Sequence, residues 1–136
     1  MNIIRDFPPN YSEIIKVFPI VPTIKTIVFT YGDAVYKPYK KGTLTDHVKV
    51  HEKTHEKQQG NDPAGWWNKY LSDPKFRLDQ EVEAYRNQYR FFVNKNYNFK
   101  ERAKLLDGIA GDLASDMYGG IISKNEAIEL IRKGGD

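Results

Sequence analysis

His51 and His55 stand four residues apart in VHEKTHEKQQG, residues 50 to 60, and Glu52 directly follows the first of them. On a helix, residues at i and i+4 lie one above the other about 6 Å apart, so the two imidazoles can grip one ion. Zinc accepts neutral imidazole nitrogen at about 2.0–2.1 Å, and two ligands from one turn need little further ordering. Glu52 lies between the histidines in height and about 80° round the cylinder, within reach of a water beside the ion. This is the H-E-x-x-H arrangement, in which the glutamate takes a proton from water as general base and the metal lowers that water's pKa. The other reading is a pair of surface histidines on a polar helix. Leu44 and Val48 share the side that carries His51 and His55, which predicts that the histidines turn inward.

His47 extends the series to i, i+4, i+8, but it lies about 12 Å along the axis from His55 and cannot share that ion. Either His47 and His51 or His51 and His55 could chelate; only the second pair has a glutamate after its first member. His47 therefore reads as a surface or supporting residue. The chain has no cysteine and three histidines, so the third ligand of a zinc site should be a carboxylate. The candidate region is RLDQEVEAYRNQYRFF, whose apolar stripe runs Leu78, Val82, Tyr85, Tyr89, Phe92. On a helical wheel Glu81 lies about 60° from the centre of that stripe and Glu83 about 140° away. Glu81 is thus at the edge of the core, where a cation offsets the cost of a buried carboxylate, and Glu83 faces solvent. Pairing of Glu81 with Arg77, Arg86 or Arg90 is the competing expectation.

These residues need elements to carry them. TIKTIVFTY alternates and is β-branched, Gly32-Asp33 suits a type II′ turn, and AVYKP follows, so residues 24 to 37 are expected to form a β-hairpin. Asn10 with Glu13 predicts a short helix between the prolines of residues 8 to 22. Thr43 with Asp46 resembles a capping box, and Gly60 a stop, for the histidine helix. Asp62-Pro63 and Asp73-Pro74 each put a cap and a first-turn proline before a helix. Asn98 with Glu101 opens a helix expected to run to Gly119-Gly120, and Ser123 with Glu126 opens a last one. The pattern predicts an α+β fold with an N-terminal hairpin or small sheet on a helical core. At 136 residues, one domain spanning 1–136 is expected.

Composition limits the partners. Lys plus Arg is 21 and Asp plus Glu 18, a net charge of +3, too mild for a typical nucleic-acid binder. The mixed Lys/Tyr stretches KPYKKG (37 to 42) and NKNYNFKERAK (94 to 104) keep a nucleic-acid module as a third option and otherwise read as solvated segments. The opening MNIIRDFPPN has no basic and apolar leader pattern, and no run is long enough to span a bilayer, so no membrane partner is expected. The lack of cysteine fits a reducing interior. Nothing in the pattern specifies an oligomeric state.

His51-Glu52-Lys53-Thr54-His55 followed by Glu81-Val82-Glu83-Ala84-Tyr85 resembles the gluzincin branch of zinc metallopeptidases. The wider context, FTYGDAVY, LTDHVKVHEKTHEKQQ, WWNKYLSDPKFRLDQEVEAYRNQ and YGGIIS, looks like a group of short phage-encoded metallopeptidase-like proteins over about residues 24 to 124. The resemblance implies a zincin-like helical core, Zn2+ held by His51, His55 and Glu81, and Glu52 as general base. It also implies a peptide, protein or peptidoglycan-type substrate, and a place in the host cytoplasm or the phage particle. Tyr85 stands where many gluzincins have an aspartate that hydrogen-bonds a ligating histidine. The larger family members carry an extra helical domain with an oxyanion donor; here Tyr31, Tyr36 and Tyr118 are the local candidates. TIKTIVFTY is the strand available to pair with an extended substrate, or else ordinary sheet packing. Trp66 and Trp67 read as core. The functional expectation is a minimal zinc peptidase; the alternative is an inactive zinc-stabilised structural or interaction module, such as a virion component.

Overall fold

The computed structural model describes residues 1–95 and 98–135, with no side-chain description for 134 and 135. The stretch 94 to 104 therefore includes two positions, 96 and 97, outside the described residues. The architecture is α+β: a small mixed sheet followed by helices. The elements are β1 (Asn2–Ile4), α1 (Tyr11–Val17), β2 (Phe29–Tyr31), β3 (Ala34–Tyr36), α2 (Asp46–Gln59), α3 (Pro63–Ser72), α4 (Pro74–Lys95), α5 (Phe99–Leu113) and α6 (Lys124–Gly135), with short 3-10 turns at Val21–Thr23 and Asp116–Tyr118.

The hairpin forms where the Gly-Asp pair predicts it. Tyr31 pairs with Ala34 across a two-residue link, and Gly32 takes φ +65° while Asp33 stays at negative φ, the signature of a II′ turn. Its first strand is shorter than TIKTIVFTY suggests. Ile24 donates to the Val21 carbonyl and Ile27 to the Ile24 carbonyl, so this stretch spends backbone groups on local turns and enters the ladder only at Phe29. The sheet gains a strand that the pattern did not announce: β1 pairs parallel to β3, giving the order β1-β3-β2.

The helix starts follow the capping chemistry. Asp62 accepts from the Gly65 N–H, Asp73 from Lys75 and Phe76, Asn98 from Lys100 and Glu101, and Ser123 from Glu126. The histidine helix differs from expectation at its start, where Thr45 rather than Thr43 occupies the cap and makes no side-chain bond to the backbone. It ends as expected at Gly60, whose φ of +56° suits glycine. Helix α5 stops at Leu113 instead of reaching Gly119. Ser115 leaves the helical conformation and its Oγ accepts from the Met117 N–H, which starts the 3-10 turn and redirects Met117 and Tyr118.

Helix α4 is the central element, packed on α2, α3, α5 and α6. One apolar cluster, built from α4, α5 and α6, includes Tyr85, Leu106, Leu113 and Ile131. A second joins α1, β2 and α3 through Ile14, Phe18, Phe29, Trp66, Trp67 and Tyr70, so both tryptophans are core. Tyr118 packs against both clusters. No described helix is long and apolar enough to cross a membrane. Leu113 is wholly buried at the centre of the first cluster. Leu113→Ala should destabilise the fold by about 2–5 kcal/mol in urea unfolding, through lost apolar transfer and an unfilled cavity.

Candidate metal centre

Helix α2 presents its polar face to the interior: His51, Glu52, Thr54, His55 and Gln59 are all buried. It lies against α4, whose Glu81 is buried while Glu83 is exposed, as the helical wheel predicts. His51 and His55 are 5% exposed and Glu81 3%. Their heads converge. His51 Nε2 and His55 Nε2 are 3.1 Å apart, and each is 3.2 Å from Glu81 Oε1. Around a tetrahedral ion with bonds of about 2.0–2.1 Å, neighbouring ligand atoms are separated by roughly 3.3 Å. Three mutual spacings of 3.1–3.2 Å therefore describe one face of such a coordination shell.

The surrounding hydrogen bonds decide what these atoms offer. Gln58 Nε2 donates to the Gln80 carbonyl and to Glu83 Oε1, both of which can only accept, so Gln58 Oε1 must be the acceptor facing His55 Nδ1 at 2.8 Å. His55 thus carries its hydrogen on Nδ1 and turns the Nε2 lone pair inward. Gln88 does the same for His51: its Nε2 donates to His47 Nδ1 at 2.9 Å and its Oε1 accepts from His51 Nδ1 at 3.0 Å. Tyr70 Oη donates to Glu81 Oε2 at 2.6 Å and leaves Oε1 to the cluster. Three electron-rich atoms then meet in a buried space, an arrangement that repels itself unless a positive charge sits among them.

A proton answers part of that demand. Burial alone would lower the His55 pKa, but the Glu81 carboxylate beside it, together with Glu52 and Gln58, raises the value to about 9. Burial likewise would raise Glu81, and the facing imidazoles hold it well below the usual carboxylate range instead. Burial first, then Glu81, pushes the Tyr70 hydroxyl well up, so it remains a neutral donor. His51, His55 and Glu81 thus suit a divalent metal ion in ligand type, spacing and supporting bonds.

Glu52 is buried next to this cluster without joining it. Its Oε2 lies 3.9 Å from His51 Nε2, while Oε1 accepts from Thr30 Oγ1 on β2 at 3.0 Å. His51, His55, Glu52, Glu81 and Tyr70 line a small pocket of about 70 Å3. His51 and Glu52 also form part of an open cleft of about 360 Å3, between residues 24–28 and the end of α5.

The other sequence candidates separate clearly. His47 is outside the ligand set; it packs on Phe92 and reaches His51 only through Gln88. Two of the three arginines expected to compete for Glu81 bond elsewhere, Arg77 to the Tyr70 and Tyr118 carbonyls and Arg86 to the Leu130 carbonyl, and Arg90 is exposed. Tyr85 packs its ring on His51 and bonds the Tyr118 hydroxyl at 2.7 Å, so the hydrogen bond expected from its position comes from Gln88 instead. Tyr118 lines both the cavity and the cleft. Tyr31 and Tyr36 pack in the N-terminal cluster and line neither. On β2 the outward Thr30 carbonyl is already engaged, accepting from Gln59 Nε2 at 2.7 Å and Trp67 Nε1 at 3.0 Å. Lys37, the first residue of KPYKKG, is buried with its ammonium on the Tyr39 and Lys41 carbonyls. Sequence reasoning missed Tyr70, Gln58, Gln88 and Thr30; Gln58 at i+3 from His55 and Gln88 at i+7 from Glu81 were the available signals.

No model of a known protein family, no curated protein and no solved structure matches the chain.

Two outcomes test the centre. Gln88→Ala should weaken binding of a divalent metal ion by about 10–100-fold, Glu81→Ala by more, and Glu83→Ala by less than either, in competition titrations against a chromophoric chelator. Binding should also depend on pH. Raised to about 9, His55 holds a proton at pH 7 that a metal must displace, so affinity should climb with pH and level off above about 9, with proton release visible in calorimetry. In the metal-free protein, the same raised value stabilises the fold fully below the ordinary histidine pKa of about 6.5, and that contribution is lost as pH rises through about 9.

Proposed function

We propose that the protein is a zinc-dependent, metallopeptidase-like hydrolase acting on a peptide or peptidoglycan-type amide. The observation that carries this reading is the position of Glu52: buried, 3.9 Å from a donor nitrogen of the cluster, outside the ligand set, and facing an open cleft. Two neutral imidazoles and one carboxylate are a donor set suited to zinc, and three protein ligands leave a fourth position. Zinc when bound supplies Lewis acidity, which acidifies water and polarises the scissile carbonyl.

The chain's own groups do the remainder. Glu52 accepts the proton of the attacking water and passes it to the amide nitrogen as the C–N bond breaks, so the hydroxyl ends on the new carboxyl and the proton on the leaving amine. Thr30 holds one Glu52 oxygen and leaves the other directed at the cluster. Gln58 and Gln88 keep both Nε2 lone pairs inward. Tyr118, which borders both the cavity and the cleft, is the candidate donor to the developing oxyanion. This reading agrees with the resemblance to gluzincins and to short phage-encoded proteins, which implies a protein of the host cytoplasm or the virion.

The near-complete burial of the three ligands, beside a cavity of only about 70 Å3, favours a second reading: a zinc-stabilised structural or interaction module. Screening a peptide library with zinc-loaded protein separates the two. The hydrolase should cleave some members, and Glu52→Gln should slow cleavage by at least about 100-fold while elemental analysis finds zinc unchanged. Undiminished cleavage by Glu52→Gln would reject Glu52 as the base. A chelator that lowers Tm, with no peptide cleaved, selects the structural module.

A further inference from the structure

The open cleft has a charge character at odds with the rest of the chain. Lysine and arginine outnumber aspartate and glutamate, 21 to 18, yet neither the cleft nor the adjoining cavity is lined by a single lysine or arginine. The cations that alternate with lining residues are directed away. Lys25, between Ile24 and Thr26, bonds the Pro22 carbonyl and lies over the Tyr39 ring; Lys49 and Lys53, beside Val48 and Glu52, are exposed. The carboxylates in the cleft are Glu52 on its inner side and Asp112 on its α5 wall.

Among the described residues no hydrogen bond or ion pair reaches the Asp112 carboxylate, whereas its neighbour along the helix, Asp107, is matched by Lys124 at 2.7 Å. Asp112 lines the same cleft as His51 and Tyr85. Glu52 is tied to Thr30 and lies beside His51, which leaves Asp112 as the carboxylate of the cleft without a partner among the described residues. Asp112 is exposed on the cleft wall, so its charge is within reach of a segment that enters from solvent.

We infer that this cleft takes a substrate segment bearing an amine, selected by the Asp112 carboxylate as a specificity residue. The inference rests on the hydrolase reading and names its substrate class. The amine is a lysine-like side chain or a free amino terminus; both supply N–H donors and a positive charge. The walls beside Asp112, Ile109 and Met117, accept the methylene portion of such a group.

The test uses zinc-loaded protein and end-labelled tripeptides, with binding read in the cold by fluorescence anisotropy and cleavage read separately. One peptide has a central lysine and a blocked amino terminus, a second replaces lysine with norleucine, and a third has a free amino terminus and no lysine. The lysine or the free-terminus peptide should bind about tenfold more tightly than the norleucine peptide. Asp112→Asn should erase that difference, while Asp112→Glu and the control Asp116→Asn, outside the cleft lining, should keep it. The arm that binds identifies the source of the amine. Equal affinity for all three peptides, no measurable binding, or a preference that survives Asp112→Asn would overturn the inference. A preference that depends on Asp112 with no peptide cleaved would uphold the amine site and reject the hydrolase. Cleavage without preference would do the reverse.

Discussion

Two imidazole nitrogens and a carboxylate oxygen held about 3 Å from one another and almost fully buried are the constraint around which the rest is arranged. Lone pairs brought this close are costly unless a cation stands among them. Nothing in the apolar packing requires polar groups at that point, and aliphatic residues of similar volume would be the cheaper filling. The arrangement makes sense as the site of an ion whose binding free energy offsets the cost.

Keeping those atoms in place takes support from most of the chain. The ring of Tyr85 abuts His51 from the α4–α5–α6 cluster, and Trp66 lies against His55 from the α1–β2–α3 cluster, so each imidazole is backed by a different hydrophobic assembly. Amides then fix each ring's hydrogen, and Tyr70 anchors the second carboxylate oxygen. The hairpin takes part through Thr30, which supplies a hydroxyl to Glu52 and a carbonyl to α2 and α3. A short sheet is therefore enough: its task is to hold one side of a polar pocket, and the core lies mostly between helices.

Much of this was legible because it obeys local periodicity. The spacing of Val48 with the histidines indicated an inward face, although Leu44, read with it, lies ahead of the helix, and the stripe from Leu78 to Phe92 distinguished Glu81 from Glu83. Helix starts were readable wherever an Asp, Asn or Ser carried a bond to the first turn. What escaped depends on distant chain. Strand β1 is three residues whose partner lies some thirty positions on, too short to show alternation. The end of α5 turned on one serine hydroxyl competing with a helical pattern that continued through Met117. Gln58, Gln88 and Tyr70 resemble ordinary surface or core residues until a second helix brings an imidazole or a carboxylate to them, and no spacing rule marks an amide that fixes a tautomer.

The engaged carbonyl on β2 has a bearing on recognition. With both lone pairs of the Thr30 carbonyl claimed by Gln59 and Trp67, the sheet offers an incoming chain no main-chain rung at that point. A chain lying beside Thr30 would have to use its side groups there. Grip of that sort discriminates between residues, whereas a zipper of amides would accept almost any extended polymer.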